Sequence, residues 1–263
     1  MGGSGKMNSA EKTLRLLKLL AQPPYVFGVT ELGEKIECGK SGTFKLLSAL
    51  VSEGFAAQTQ EHKYTLGLSA YLLGKTYEQH IGVTAFARPY LVRLRDLTNE
   101  NTSFSMMVNG VPTLICREES HQLVRVVGKE GQTRPFHVGS ISKLLSAYEE
   151  ESLIRKKLME EPLTAYTENT ITSPEALLEE FRRIREQGFA CSEGEMNIET
   201  FGVAAPVTNA AGEVWAALSI GAPRSRVDEA KKERFIFMVC EMAREMSRDY
   251  TVTTRRGEFT AQR

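Results

Sequence analysis

The sequence predicts an α+β protein built as two units, and three features predict it. Between Thr30 and Gly67, a short helix, a tight turn, a cation-bearing helix and a hairpin follow one another without a gap. From Thr102 onward the apolar period changes from three or four residues to two, which marks the passage from helix to strand. Beyond Asp228 the helical period returns in a long amphipathic stretch, so that strands and helices share one larger unit.

Ser9 to Ala21 reads as the first helix, with Ala10, Leu14, Leu17 and Ala21 on one stripe and Leu16 and Leu20 beside it. Pro23-Pro24 ends it, because proline has no amide to continue the ladder. After an extended entry at Tyr25 to Val29, Thr30 is expected to cap a second helix, since its hydroxyl can accept from a first-turn amide. That helix carries Leu32 and Ile36 and stops near Cys38-Gly39, where glycine allows a reversal. The third helix starts near Ser41. Phe44, Leu47, Leu50 and Val51 recur at helical spacing and are expected to be buried. The opposite face shows Lys40, Ser41, Thr43, Lys45 and Ser48 and no carboxylate. Phe55 to Thr59 and Tyr64 to Leu66 form a hairpin over Gln60-Glu61-His62-Lys63. Together these elements make a winged helix-turn-helix, whose second helix enters a major groove in proteins of this shape. Lys40, Ser41, Thr43 and Lys45 are then the candidate DNA contacts from the helix, and His62 and Lys63 those from the wing.

The connector from Ser69 to Ile81 is helical, and Gly82 interrupts it before a helix from Thr84 to Leu97. Ser103 to Val108 and Val111 to Arg117 flank Asn109-Gly110, a dipeptide that supplies the positive φ angles of a two-residue hairpin. Leu123 to Val127 reads as a third strand. Helices follow at Ser140 to Tyr148 and Glu150 to Met159, and another opens at Ser173-Pro174-Glu175 and closes at Gly188. Phe189 to Cys191 is a strand. Val203 to Thr208 and Val214 to Gly221 form a hairpin, and the last helix runs from Asp228 to about Asp249. The expected organisation is a tag or disordered tail (1–7), a winged domain (8–68), a linker helix (69–84), an antiparallel-sheet domain (85–250) and a polar tail (251–263).

Composition narrows the function classes. No apolar run approaches a membrane span, so a soluble chain is expected. Met1 to Lys6 has no apolar segment and does not read as a signal peptide. Four cysteines lack C-x-x-C spacing, which argues against a disulfide framework or a zinc site and for reduced thiols in a cytoplasmic protein. Residues 1–84 hold nine Lys/Arg and seven Asp/Glu, and the remainder 24 and 26, so only the local arrangement of charge points to nucleic acid.

Four motifs carry a resemblance to the IclR family of bacterial transcriptional regulators over Asn8 to Asp249. Lys40-Ser41 with Lys45-Leu46-Leu47 is similar to the family's recognition helix, and Tyr64-Thr65-Leu66-Gly67 to its wing exit. Pro135-Phe136-His137 through Ser142-Lys143 looks like the segment that opens a sensor-domain helix. Gly188-Phe189 through Ala204-Ala205-Pro206-Val207, then Gly212 and Ala216 to Ile220, resembles the ligand-domain signature. The resemblance implies a GAF-like effector domain for a small organic acid or aromatic metabolite, and dimers or dimers of dimers on palindromic operators. It implies effector contacts at Ser140, Ile141, Glu193, Gly202, Ser219 and Gly221. The chain departs from the family's pattern at Gly42, Ser142, Ser192-Glu193 and Gly221.

Physically, Gly139-Ser140 opens a helix whose amides and dipole can hold a carboxylate without a lysine or arginine. Ser219 adds a hydroxyl, and Glu193 would accept from a ligand hydroxyl, so a small monocarboxylate, a hydroxy or keto acid, is expected. A lone His137 is read as a core or hydrogen-bonding residue, and no metal or cofactor is expected. Met238, Met242 and Met246 read as core. Two alternatives remain: a small-acid metabolic enzyme with an ancillary helical domain, using Glu193 and Glu195, and a winged module that binds protein.

Overall fold

In a computed structural model, residues 7–255 are described, and the chain divides into two compact units, Met1–His80 and Ile81–Arg263. Of the expected tails, 1–7 and 251–263, residues 1–6 and 256–263 lie outside the described residues.

The first unit packs α1 (Ser9–Leu20), α2 (Val29–Lys35) and α3 (Lys40–Ser52) against the β1–β2 hairpin (Ala56–Gln58 and Tyr64–Leu66). Asn8 caps α1 reciprocally with Glu11, which satisfies two first-turn donors. The buried stripe of α1 is Leu16 and Leu20, whereas Leu14 is exposed, so the core face lies one row over from the expected stripe. Gly28, not Thr30, is the N-cap of α2, and no side chain caps it. The reversal between α2 and α3 falls at Glu37, with φ 51°, while Gly39 is an ordinary extended N-cap. Glycine is required one turn earlier, at Gly33. A Cβ there would meet the Cys38 carbonyl at 2.7 Å and Thr43 Oγ1 at 3.0 Å. Phe27 exchanges backbone hydrogen bonds with Tyr64, which fastens the entry segment to the wing.

Helix α4, Leu68–Ile81, falls in the first unit up to His80. In the second unit, α5 (Val83–Thr98) leads into β3 (Asn101–Val108) and β4 (Val111–Glu118). Asn109 and Gly110, with φ of 51° and 73°, form the expected hairpin turn. After α6 (Ser140–Ala147), α7 (Glu151–Glu160) and α8 (Pro174–Gln187) come β5 (Ala190–Glu193), β6 (Thr200–Thr208) and β7 (Val214–Pro223), and α9 closes the unit at Glu229–Arg255. The first residues of the expected polar tail are therefore the last turns of a helix. The strands form one antiparallel sheet in the order β4-β3-β7-β6-β5. One core holds α5 and α9 side chains such as Leu91, Leu94, Phe235 and Val239 with Phe104, Val203 and Leu218. The other holds Leu144, Leu177, Phe181 and Ile184 of α6 and α8 with Ala190, Ala204 and Ala217.

Leu123 to Val127 is not a strand. Its side chains at Leu123, Val124 and Val127 are exposed, and its carbonyls are held by side chains instead of a ladder. Asn101 and Arg117 donate to the Val126 carbonyl, Arg117 also to that of Gly128, and Arg226 to that of Val124 at 2.8 Å. An apolar run of strand length thus becomes a strap, because side-chain donors reach its backbone first.

Replacing Gly33 by valine is expected to destabilise the first unit by about 1–3 kcal/mol, since backbone and Thr43 stand where the side chain must go. Chemical denaturation followed in that unit would show it, with the second unit unchanged.

Candidate nucleic-acid interface and effector cavity

Helix α3 presents Lys40, Ser41, Phe44, Lys45 and Ser48 to solvent at three- and four-residue spacing. Leu47 and Leu50 face the core, as their period requires. Two expectations change here. Thr43 is fully buried and donates to the carbonyls of Cys38 and Gly39, both at 3.2 Å, so it braces the turn and cannot reach a base. Phe44, expected in the core, is 53% exposed and stands on the cationic face in its place. One residue of slip on a 3.6-residue period moves a side chain by about 100°, enough to exchange these roles. On the wing, His62 adopts φ 57° at the turn, and Lys63 pairs with Glu61 at 3.0 Å. An exposed pair of this kind is worth about 0–1 kcal/mol and yields readily to a phosphate.

In the second unit a cavity of about 130 Å³ opens between the sheet, the start of α6 and the strap. That is close to the size of an engineered cavity that admits benzene. Its origin is a row of small residues across the sheet: Asn101, Gly221, Gly202 and Ser192 stand opposite one another on β3, β7, β6 and β5. A second row pairs Ser103 with Ser219, whose hydroxyls lie 2.6 Å apart. A Cβ on Gly221 would meet nothing within 4 Å, so the missing side chain widens the cavity. A Cβ on Gly202 would come within 2.8 Å of Ser140 Oγ, so glycine there makes room for that hydroxyl.

Gly139, Ser140, Ile141, Gly202, Ser219 and Gly221 all line this cavity. Glu193 does not. Successive strand residues point to opposite faces, so Ser192 takes the cavity side and Glu193 turns away to pair with Lys232 at 2.7 Å. Nor is the start of α6 wholly open. Gly139, at φ 84° and ψ 157° and hence in a region nearly closed to other residues, donates its amide to Glu195 Oε2 at 2.8 Å. The amides of Ser140, Ile141 and Ser142 that follow have no partner within the helix, and their residues line the cavity.

Glu195 belongs to an ionic cluster that spacing alone did not reveal. Lys143, 2% exposed, reaches Glu195 Oε1 at 2.5 Å and Glu180 Oε1 at 2.8 Å, and Glu180 also pairs with Arg183. Burial pulls the Lys143 ammonium below the ordinary lysine range, against the opposing pull of Glu195. The cluster ties α6 to α8 and to the β5–β6 connection. The Glu193–Glu195 pair is thereby dissolved, since the two carboxylates serve different lysines. His137 is buried, with Nε2 3.1 Å from the Thr164 carbonyl. Among the described residues no group of three or more His, Cys, Asp or Glu side chains is placed to hold a metal ion.

The signals missed in the sequence are two arginines. Arg117 and Arg134 line the cavity, and no carboxylate does. Arg117 stands on β4, where alternation with buried Cys116 could have flagged it; Arg134 comes from the irregular segment after the strap, which has no periodicity to read.

Two family models match the chain: "Bacterial transcriptional regulator IclR C-terminal" over residues 75–248 and "IclR helix-turn-helix domain" over residues 9–60. Among curated relatives, the HTH-type transcriptional regulator BhcR of Paracoccus denitrificans is 27% identical over 93% of this chain and 88% of its own length. The HTH-type transcriptional regulator KdgR of Escherichia coli is 28% identical over 92% of both. A solved IclR-type transcriptional regulator from Alicyclobacillus acidocaldarius superposes with a TM-score of 0.80 at 28% identity, covering 92% of this chain and 98% of its own. An IclR homologue from Microbacterium hydrocarbonoxydans, solved with 4-hydroxybenzoate, shares the fold with a TM-score of 0.77 at 19% identity, over 93% and 100%.

Lys143→Met should cost about 3–5 kcal/mol, because it leaves two buried carboxylates facing each other. Urea titrations of the variant beside the wild-type protein would show the loss.

Proposed function

The chain belongs to the IclR family of bacterial transcriptional regulators, and on that premise we propose that it binds a palindromic operator as a dimer or dimer of dimers and responds to a small organic acid held in the second unit. The observation that carries the DNA contact is the exposed stripe Lys40, Ser41, Phe44, Lys45 and Ser48, cationic and without an acid. Lysines meet phosphates there, Ser41 reaches a base edge or phosphate, and the Phe44 ring can lie against a thymine methyl. His62 and Lys63 add wing contacts to the backbone. A second copy is the partner on α4, where Leu68, Tyr71, Leu72, Leu73 and Tyr77 are all more than half exposed. Exposed apolar side chains on both sides of this helix favour association.

The acid-sensing part rests on the cavity lining, which offers arginines, hydroxyls and helix amides but no carboxylate. The phenolic acid bound by the homologue from Microbacterium hydrocarbonoxydans is of the same chemical class. We read the cavity as a sensor and not a catalytic centre, because none of its lining side chains titrates near neutrality to serve as general base. Among the described residues no helix is long and apolar enough to cross a membrane, and a DNA partner supports a cytoplasmic protein.

Duplexes recovered by in vitro selection on the wild-type protein provide the test. Lys45→Glu should lose binding to them by at least about tenfold while the melting temperature stays unchanged. Phe44→Ala should weaken thymine-containing half-sites and leave stability intact. Wild-type affinity in Lys45→Glu, or binding insensitive to salt, would refute the assignment, since phosphate contacts make affinity fall steeply with ionic strength.

A further inference from the structure

We propose that Arg134 is the anchor for the effector's carboxylate, and that Ser105 and Ser142 receive a hydroxyl or carbonyl oxygen on the same molecule. The inference rests on the acid-sensing reading above and assigns it to atoms.

Two cations line the cavity, and they differ in what they already hold. Both terminal nitrogens of the Arg117 guanidinium are engaged: they donate to the carbonyls of Val126 and Gly128 and lie 3.3 Å from Glu119, and only Nε lacks a partner among the described residues. Arg134 has no such engagement. Among the described residues, no carboxylate or carbonyl pairs with its guanidinium, although the side chain is largely withdrawn from water. Burial without a partner pulls its pKa below the ordinary arginine range. A half-buried cation that faces a cavity and lacks a counter-ion is costly in the ligand-free protein. A carboxylate offers it two parallel hydrogen bonds in matching geometry.

The backbone around Arg134 is fixed independently of its side chain. Arg134 donates its amide to the Pro112 carbonyl at 3.2 Å, Leu114 donates to Gln132 at 3.0 Å, and Gly131 donates to Leu114 at 2.7 Å. Thr133 pairs with Thr113 of β4 in the same run. The guanidinium is thus presented from a segment laid along the sheet edge, and it need not move with the strap.

The opposite requirement comes from the serines. Ser105 Oγ and Ser142 Oγ are buried among the cavity-lining residues and have no hydrogen-bond partner among the described residues. Each is a hydroxyl removed from water with nothing to bond, a state that an oxygen of a bound molecule relieves. By contrast Ser103 and Ser219 satisfy one another. A cation and two unsatisfied hydroxyls on one lining define a hydroxy or oxo carboxylic acid small enough for about 130 Å³.

The test titrates the full-length chain with glycolate, benzoate and 4-hydroxybenzoate, each beside its neutral amide, by calorimetry and thermal shift. At least one acid should bind and raise the melting temperature, and its amide should not. Arg134→Gln should weaken that acid by at least about tenfold, as expected for loss of a charge-assisted hydrogen bond, and R134K should recover part of it. The ligand-free melting temperature of R134Q should equal or exceed the wild-type value, because an unpaired cation has been removed. A Ser105→Ala, Ser142→Ala variant should lose several-fold affinity for a hydroxylated acid and none for plain benzoate. Acid binding that R134Q leaves unchanged, or a fall in its ligand-free melting temperature without loss of the acid response, would overturn the anchor while the acid-sensing reading stands. Amides binding as well as acids, or no acid binding at all, would overturn both.

Discussion

The architecture of the second unit depends on one buried lysine. Lys143 sits in the first turns of α6 and is held by Glu195, from the connection after β5, and by Glu180 of α8. Its carboxylate partner in turn accepts the Gly139 amide, so a single cluster sets where α6 begins and how it lies against the sheet. An ion pair withdrawn from water contributes little net stability, but breaking it is expensive. The cluster therefore specifies position more than it adds strength. It also removes a lysine and a glutamate from the cavity wall, which leaves arginine as the lining's charge.

The cavity exists because the sheet beneath α6 is built from small residues. Gly202 and Gly221 stand side by side, and serines occupy the neighbouring positions. Large side chains at those rows would close the space as they do on the α5–α9 face, where Phe104, Phe201 and Phe235 fill the core. Both faces of the sheet carry a core, and the vacancy lies on the α6 side, over the small residues. The same economy holds in the first unit. Gly33 and the buried Thr43 bring α2 and α3 close, and that closeness leaves Lys40, Ser41, Phe44 and Lys45 projecting on the far side.

Much of this was legible in the chain. Helices with clear periodicity, the Asn109-Gly110 hairpin, the Ser173-Pro174 start of α8 and the Gly188 stop are encoded by local chemistry that does not depend on distant partners. The cationic stripe on α3 was legible for the same reason, apart from the exchange of Thr43 and Phe44, which a one-residue phase error produces. Leu123 to Val127 misled because strand composition does not guarantee an available edge. Its carbonyls were taken by Asn101, Arg117 and Arg226, residues far from it in sequence.

Sequence alone determined the order of elements, the winged shape of the first unit and the antiparallel hairpins of the second, because turns, caps and apolar periods act over a few residues. It also assembled most of the cavity's small residues through motif order. Tertiary structure alone decided which charges are spent and which remain. Glu193 turns to Lys232, Glu195 to Lys143 and Arg117 to the strap, while among the described residues nothing pairs with the Arg134 guanidinium beside the cavity. Charge pairing is a long-range competition settled by distance and burial, and neither quantity is written in the spacing of residues along a chain.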